Sequence, residues 1–189
     1  MDTEQRLPSY LEIVPDKPVE RFLRMFILSS KIVEELVIIS PIIGMLRGGV
    51  SVSMNRVIEK INRDRIKTYV ITNEPSHDHP SHAQAMTALK QSNFTEIRYN
   101  ESLHAKVYIC RTRDGGFALL GSGNLTETSI QRRIEIGMVI FRRGDGISLF
   151  QELSRWGLER LRSVRGSILI KRMTAQGGNT NGLQRMVLS

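Results

Sequence analysis

Cysteine is almost absent from this chain of 189 residues: Cys110 is the only one. An internal disulfide is excluded, and no cysteine cluster can hold zinc. A reducing compartment, the cytoplasm, is therefore expected. No apolar run is long enough to cross a bilayer. The most apolar stretch, Leu36 to Leu46, is broken by Ser40, Pro41 and Gly44, whereas a membrane helix needs about 20 apolar residues. The N-terminus, Met1-Asp2-Thr3-Glu4-Gln5-Arg6, is polar and acidic and lacks the basic start and apolar core of a secretion signal. No membrane insertion is expected. Acidic residues are also short in number, 19 against 27 basic ones, which leaves a net charge of +8. That excess favours polyanionic partners, nucleic acid ahead of an anionic membrane.

What is present fits one soluble domain. The apolar share of 40% and the charged share of 24% are ordinary for a globular chain, and no internal repeat is visible. Asp16 and Pro18 mark a helix start, followed by Val19, Phe22, Leu23, Phe26 and Ile27 at helical spacing. Leu36-Val37-Ile38-Ile39 reads as a strand buried on both faces. After a loop at Gly48-Gly49, a helix capped by Ser53 turns Val57, Ile58 and Ile61 inward. Ile66 to Thr72 reads as a strand, residues 73–82 as a loop, residues 82–92 as a helix and Glu96 to Tyr99 as a strand.

This alternation predicts an α/β domain with parallel strands at its centre. Ala105 to Arg111 and Phe117 to Leu120 follow as strands joined through Asp114-Gly115-Gly116, a strong hairpin signal. Ile134 to Phe141 is a further strand. Gly144-Asp145-Gly146 ends it, and a helix with Leu149, Phe150, Leu153, Trp156 and Leu161 inward closes the domain. The domain is expected to span residues 1–173. Residues 174–189, polar and Gly-rich, read as a flexible tail with a short docking segment at Met186-Val187-Leu188.

One constellation carries chemistry. His104-Ala105-Lys106 opens a strand, where residues two apart share a face. An imidazole and an ammonium therefore stand side by side, while Leu103, Ala105 and Val107 point to the core. Gly121-Ser122-Gly123-Asn124 ends the next strand. Glycines there permit a tight turn and a close backbone approach, and Ser122 and Asn124 add a hydroxyl and a carboxamide. If the hairpin pairs, one place holds a nucleophile, a cation and neutral donors. Phosphoryl transfer requires such a set: in-line attack, and compensation of charge on the non-bridging oxygens. Taken singly, a histidine in a strand, a solvated lysine and a Gly-rich turn are each commonplace; their combination on consecutive strands is what points to a site.

His104-x-Lys106 followed by Gly121-Ser122-Gly123-Asn124 resembles the HKD motif of the phospholipase D superfamily. Glu135, within Arg133-Ile134-Glu135-Ile136-Gly137, is similar to the acidic residue that supports the catalytic histidine in small nuclease members. The resemblance implies a mixed, mainly parallel β-sheet flanked by helices on both faces. It implies a phosphodiesterase in which His104 attacks phosphorus and forms a phosphohistidine. A second histidine protonates the leaving oxygen and then activates water. Lys106 and Asn124 hold the phosphate oxygens, with Ser122 a weaker contributor. Glu135 accepts a hydrogen bond from the His104 ring. No metal or other cofactor is implied. With one His-x-Lys per chain, the expected active unit is a homodimer with a composite site. The expected substrate is nucleic acid, DNA ahead of RNA, and a helicase or restriction-system partner follows by analogy only.

The sequence departs from the motif where the superfamily usually carries an aspartate after the lysine; Arg111 stands there, and the nearest acid, Asp114, lies in the hairpin turn. Arg111 has two readings, a phosphate contact or a solvated side chain. His77, Asp78, His79 and His82 have spacings compatible with zinc, but lie in a Pro-containing loop and read more plainly as a polar loop beside the substrate groove. Two other functions compete with the nuclease. One is a lipid phosphodiesterase; the single motif opposes it, because lipid-acting members usually carry two in one chain. The other is a nucleic-acid-binding module with a decayed site, opposed by the joint presence of His104, Lys106, Asn124 and Glu135.

Overall fold

The structure, a computed structural model, describes residues 7–47 and 52–174. The Gly48-Gly49 loop and all but the first residue of the expected tail lie outside the described residues. Eight strands form one sheet: β1 (Leu11–Val14), β2 (Val33–Ile39), β3 (Lys67–Thr72), β4 (Thr95–Tyr99), β5 (Val107–Thr112), β6 (Gly115–Gly121), β7 (Gly137–Phe141) and β8 (Ile168–Lys171). Their order across the sheet is β1-β7-β6-β5-β2-β3-β4-β8. The helices are α1 (Pro18–Ile27), α2 (Met54–Asp64), α3 (Pro80–Lys90), the short α4 (Glu127–Gln131), α5 (Gly146–Arg155) and α6 (Leu161–Ser163), the last two joined by a π-helical turn at Trp156–Arg160.

The sheet is mixed, as expected, but it is not mainly parallel. Only β2–β3 and β3–β4 run parallel, while β1–β7, β2–β5, β4–β8, β5–β6 and β6–β7 are antiparallel. The connections explain the difference. α2 and α3 cross over between β2, β3 and β4, which keeps those strands parallel. The chain then returns to the far side of β2 and enters β5 in the opposite sense. From there the tight turn at Asp114 pairs Thr112 with Gly115, and the remaining neighbours alternate in direction.

Helices cover both faces. Leu36, Ile38, Val70, Tyr108 and Leu119 pack against the inner sides of α1, α2 and α3. Their neighbours Val37, Ile39, Ile71, Ile109 and Ala118 pack against Phe150 and Leu161, with Leu153 and Trp156 partly buried beside them. Successive side chains on a strand take opposite faces, so an uninterrupted run such as Leu36–Ile39 feeds two cores at once. Leu149, expected to face inward, is 41% exposed. Ser53 caps α2 as expected, its side chain accepting from Arg56 N–H. Burial pushes the Cys110 thiol up to about 12, which leaves it an unreactive part of the core.

Candidate active site

The strand ladder delivers the motif residues to one end of the sheet. β5 begins at Val107, so His104 and Lys106 sit in the extended segment just before it rather than inside it. The expected alternation holds only in part: Leu103 and Val107 are buried and His104 exposed, but Ala105 and Lys106 are both half-buried. Pairing of Val107 with Leu120 and a bond from Gly121 N–H to the Lys106 carbonyl, 3.3 Å, place the end of β6 beside the lysine. Ser122 and Ile136 then extend the next ladder, Ser122 N–H reaching the Ile136 carbonyl at 3.0 Å. This brings Glu135, which precedes β7, to the same end. Gly121 is required by that approach: a β-carbon there would lie 2.9 Å from the Ile136 carbonyl oxygen.

The side chains are tied to this frame in specific ways. Lys106 Nζ donates to the His104 carbonyl at 2.9 Å, which ties the ammonium to the backbone of His104. Glu135 is 7% exposed, and its carboxylate accepts a hydrogen bond from the Ser122 hydroxyl. That hydroxyl also accepts from Ile136 N–H at 3.2 Å. The single hydroxyl hydrogen of Ser122 is thus committed to Glu135 rather than free for a phosphate oxygen. Within this single chain the expected bond from the His104 ring to Glu135 is not formed; the carboxylate is taken up by Ser122.

Two further residues shape the site and were not singled out from the sequence. Tyr108, fully buried, donates its hydroxyl to the Gly123 carbonyl at 2.9 Å, and burial raises its pKa well above the usual phenol value. Ser40, at the end of β2, is also fully buried. Its hydroxyl donates to the Ile42 carbonyl at 2.8 Å and accepts from Leu125 N–H at 3.1 Å. Asn124 Oδ1 lies 3.4 Å from the same hydroxyl. With Oδ1 turned to Ser40, the Nδ2 donors of Asn124 are left for an anion. A serine after an apolar strand is the only sequence signal for Ser40, and the long-range pairing that gives it meaning is tertiary.

The three histidines are dispersed: His82 lies inside α3, and His77 and His79 lie before it. His82 is 1% exposed, and its Nε2 lies 3.1 Å from the Thr72 hydroxyl. That hydroxyl donates to the Pro41 carbonyl at 3.0 Å, so it accepts from His82 and fixes the Nε2–H tautomer. Burial, with the neighbouring His79 adding to it, lowers the His82 pKa to about 4. His77 and His79 are exposed. Among the described residues no group of three or more His, Cys, Asp or Glu side chains is placed to hold a metal ion. Arg111 has neither of its expected fates: its guanidinium pairs with Glu35 on the neighbouring β2, at 2.9 Å from Nη2 to Oε1 and 2.9 Å from Nε to Oε2.

The family described as "Cardiolipin synthase, PLD-like domain" matches residues 23–157, a stretch that holds every residue of the constellation. The chain belongs to this phospholipase D-like family. Membership places it in the superfamily of phospholipase D-like phosphodiesterases. The fold is similar to that of Nuc, a phospholipase D family member from Salmonella typhimurium, with a TM-score of 0.62 at 14% identity over 86% of this chain and 97% of Nuc. It is similar to NucT from Helicobacter pylori, with a TM-score of 0.55 at 16% identity over 85% of this chain and 97% of NucT. A polyphosphate kinase from Porphyromonas gingivalis gives a TM-score of 0.54 at 18% identity over 78% of this chain and 25% of the kinase. No curated protein sequence matches the chain. Among the described residues, no helix of this phospholipase D-like chain is long and apolar enough to cross a membrane.

Proposed function

We propose that the chain is a metal-independent nuclease that hydrolyses nucleic-acid phosphodiester bonds through a phosphohistidine at His104. The observation that carries this reading is the meeting of His104, Lys106, Asn124 and Glu135 at the ends of three adjacent strands, β5, β6 and β7. A ring nitrogen of His104 attacks phosphorus, the N–P bond forms and the bond to the leaving oxygen breaks. A second, protonated histidine gives its proton to that oxygen. The same histidine then takes a proton from water; the water oxygen bonds to phosphorus and the N–P bond breaks, which frees His104. Lys106 and the Nδ2 donors of Asn124 offset charge on the non-bridging oxygens. Glu135, held by Ser122, keeps a carboxylate at the same end of the sheet. The net charge of +8 supports a polyanionic substrate.

The second histidine comes, in this reading, from another copy. The chain has one His-x-Lys, and two large apolar side chains flank the carboxylate: Ile134 is 98% exposed and Ile136 is 59% exposed. Apolar surface beside a polar site marks a docking face, and a symmetric pair is the simplest closed assembly. A second reading, phosphodiester cleavage in a phospholipid, is favoured by the family's description as a cardiolipin synthase domain. One experiment separates them. Purified protein is incubated in EDTA with labelled single- and double-stranded DNA, RNA and phosphatidylcholine vesicles, alongside His104→Ala. The nuclease reading expects chelator-resistant cleavage of nucleic acid that the His104→Ala protein lacks. Activity that vanishes in EDTA and returns with magnesium overturns the mechanism; turnover of phosphatidylcholine alone overturns the substrate.

A further inference from the structure

A cleft of about 510 Å³ opens beside Asn124, between the start of α3 and the start of α4. It shares Asn124 with the catalytic set, so whatever is joined to the reacting phosphate on that side enters it. Its volume falls within the roughly 300–1,000 Å³ of pockets that enclose small organic ligands. Two arginines line it, Arg47 and Arg133, both exposed. Among the described residues neither has a carboxylate partner; Arg47 Nη2 reaches only the neutral Gln84 Oε1, at 3.5 Å. The remaining lining is of a different kind. Asp78, Glu127 and His79 add two carboxylates and an imidazole ring, and Gln131 donates to the Glu127 carboxylate at 3.0 Å while leaving lone pairs open. A site for a bare anion would not set two carboxylates against it. A nucleotide fits the mixture: its phosphate seeks the guanidiniums, and its base edge offers donors and acceptors together.

We propose that this cleft seats an unpaired nucleotide next to the reacting phosphodiester, so that the substrate is single-stranded nucleic acid. The inference rests on the nuclease reading above and adds the strand state to it. A base locked in a duplex enters such a cleft only after unpairing and unstacking, which a single strand avoids. Arg47 and Arg133 neutralise the phosphate of the seated nucleotide and present flat faces on which a base can stack.

The test uses the full chain carrying His104→Ala, so that binding is measured without cleavage. Affinity for a labelled oligonucleotide strand and for the blunt duplex of the same sequence is followed as salt rises. The strand is expected to bind about tenfold or more tightly than the duplex, a difference near 1.4 kcal/mol. Adding Arg47→Ala and Arg133→Ala is expected to weaken strand binding about tenfold. The slope of log affinity against log salt should fall by about 0.7 for each phosphate contact removed, with the duplex affinity little changed. Both arginines are exposed, and a thermal melt verifies that the fold survives. Equal affinity for strand and duplex, or arginine replacements that leave strand binding and its salt slope unmoved, overturns the cleft assignment while the nuclease reading stands. Absence of binding to either form removes the nuclease reading itself.

Discussion

Ser40 and His82 are both buried, Ser40 behind Asn124 and His82 in the wall of the cleft. Ser40 accepts from Leu125 N–H, next to Asn124, at zero exposure. Replacing it with Ala leaves that amide buried and unpaired, a cost of about 1–3 kcal/mol. The expected result for Ser40→Ala is a lower melting temperature together with slower turnover, because Asn124 loses its neighbour. Unchanged turnover in a destabilised protein would make Ser40 purely structural. His82 makes a prediction about pH. In the unfolded chain it titrates near 6.5, whereas in the fold burial and His79 hold it down at about 4. Above about pH 6.5 both states are neutral and His82 contributes no pH dependence. As pH falls toward 4 the unfolded chain takes up the proton first, so stability drops by on the order of 2–3 kcal/mol and then levels off. His82→Gln keeps a donor for Thr72 and removes the titration. Urea unfolding of the two proteins should diverge over that window, and parallel curves would show that His82 does not set the slope.

Among the elements, β2 and β5 are joined by an ion pair in place of the motif's aspartate. Arg111 meets Glu35, whose side chain is 14% exposed, and Glu34 stands 3.5 Å away. Arg111→Ala strands a largely buried carboxylate. With the arginine side chain itself 38% exposed, solvent screening limits the expected loss to about 1 kcal/mol. Adding Glu35→Ala should return most of it, since the orphaned charge goes too. Turnover per folded molecule should hold, because Arg111 lies at the far end of β5 from His104. A large catalytic loss in Arg111→Ala would instead give this residue a part in the reaction. The elements that sequence reading found share strong local signals, such as Pro18 at the first position of α1, Ser53 capping α2 and Asp114-Gly115 turning β5 into β6. Those it missed, β1, β8 and α4, are short. β1 and β8 are edge strands whose partners, β7 and β4, are distant in sequence.

At the scale of the whole molecule, the proposed composite site predicts a dominant defect. Heterodimers of wild type with His104→Ala, purified through two different tags, should be nearly inactive, since each cycle needs one histidine to attack and another to protonate the leaving oxygen. Heterodimers that keep half the wild-type rate would give each protomer a complete site and break the symmetric arrangement. Ile134 and Ile136 place apolar surface beside Glu135, and a docked partner would bury it.

The sequence by itself determined the layered α/β class, the helices on both faces and the candidate residues of the site. These follow from local patterns: Leu36–Ile39 needs two cores, and His104-x-Lys106 with Gly121-Ser122-Gly123-Asn124 flanks a hairpin whose turn is marked by Asp114-Gly115. The direction of the pairings between strands distant in sequence, β1–β7, β2–β5 and β4–β8, was beyond it, because alternation along a strand is the same whether its neighbour runs parallel or antiparallel. The actual partners of Glu135, Arg111 and His82 were decided only by the tertiary structure. A carboxylate, a guanidinium or an imidazole takes the nearest group that satisfies it, and Ser122, Glu35 and Thr72 become nearest only when the sheet is assembled.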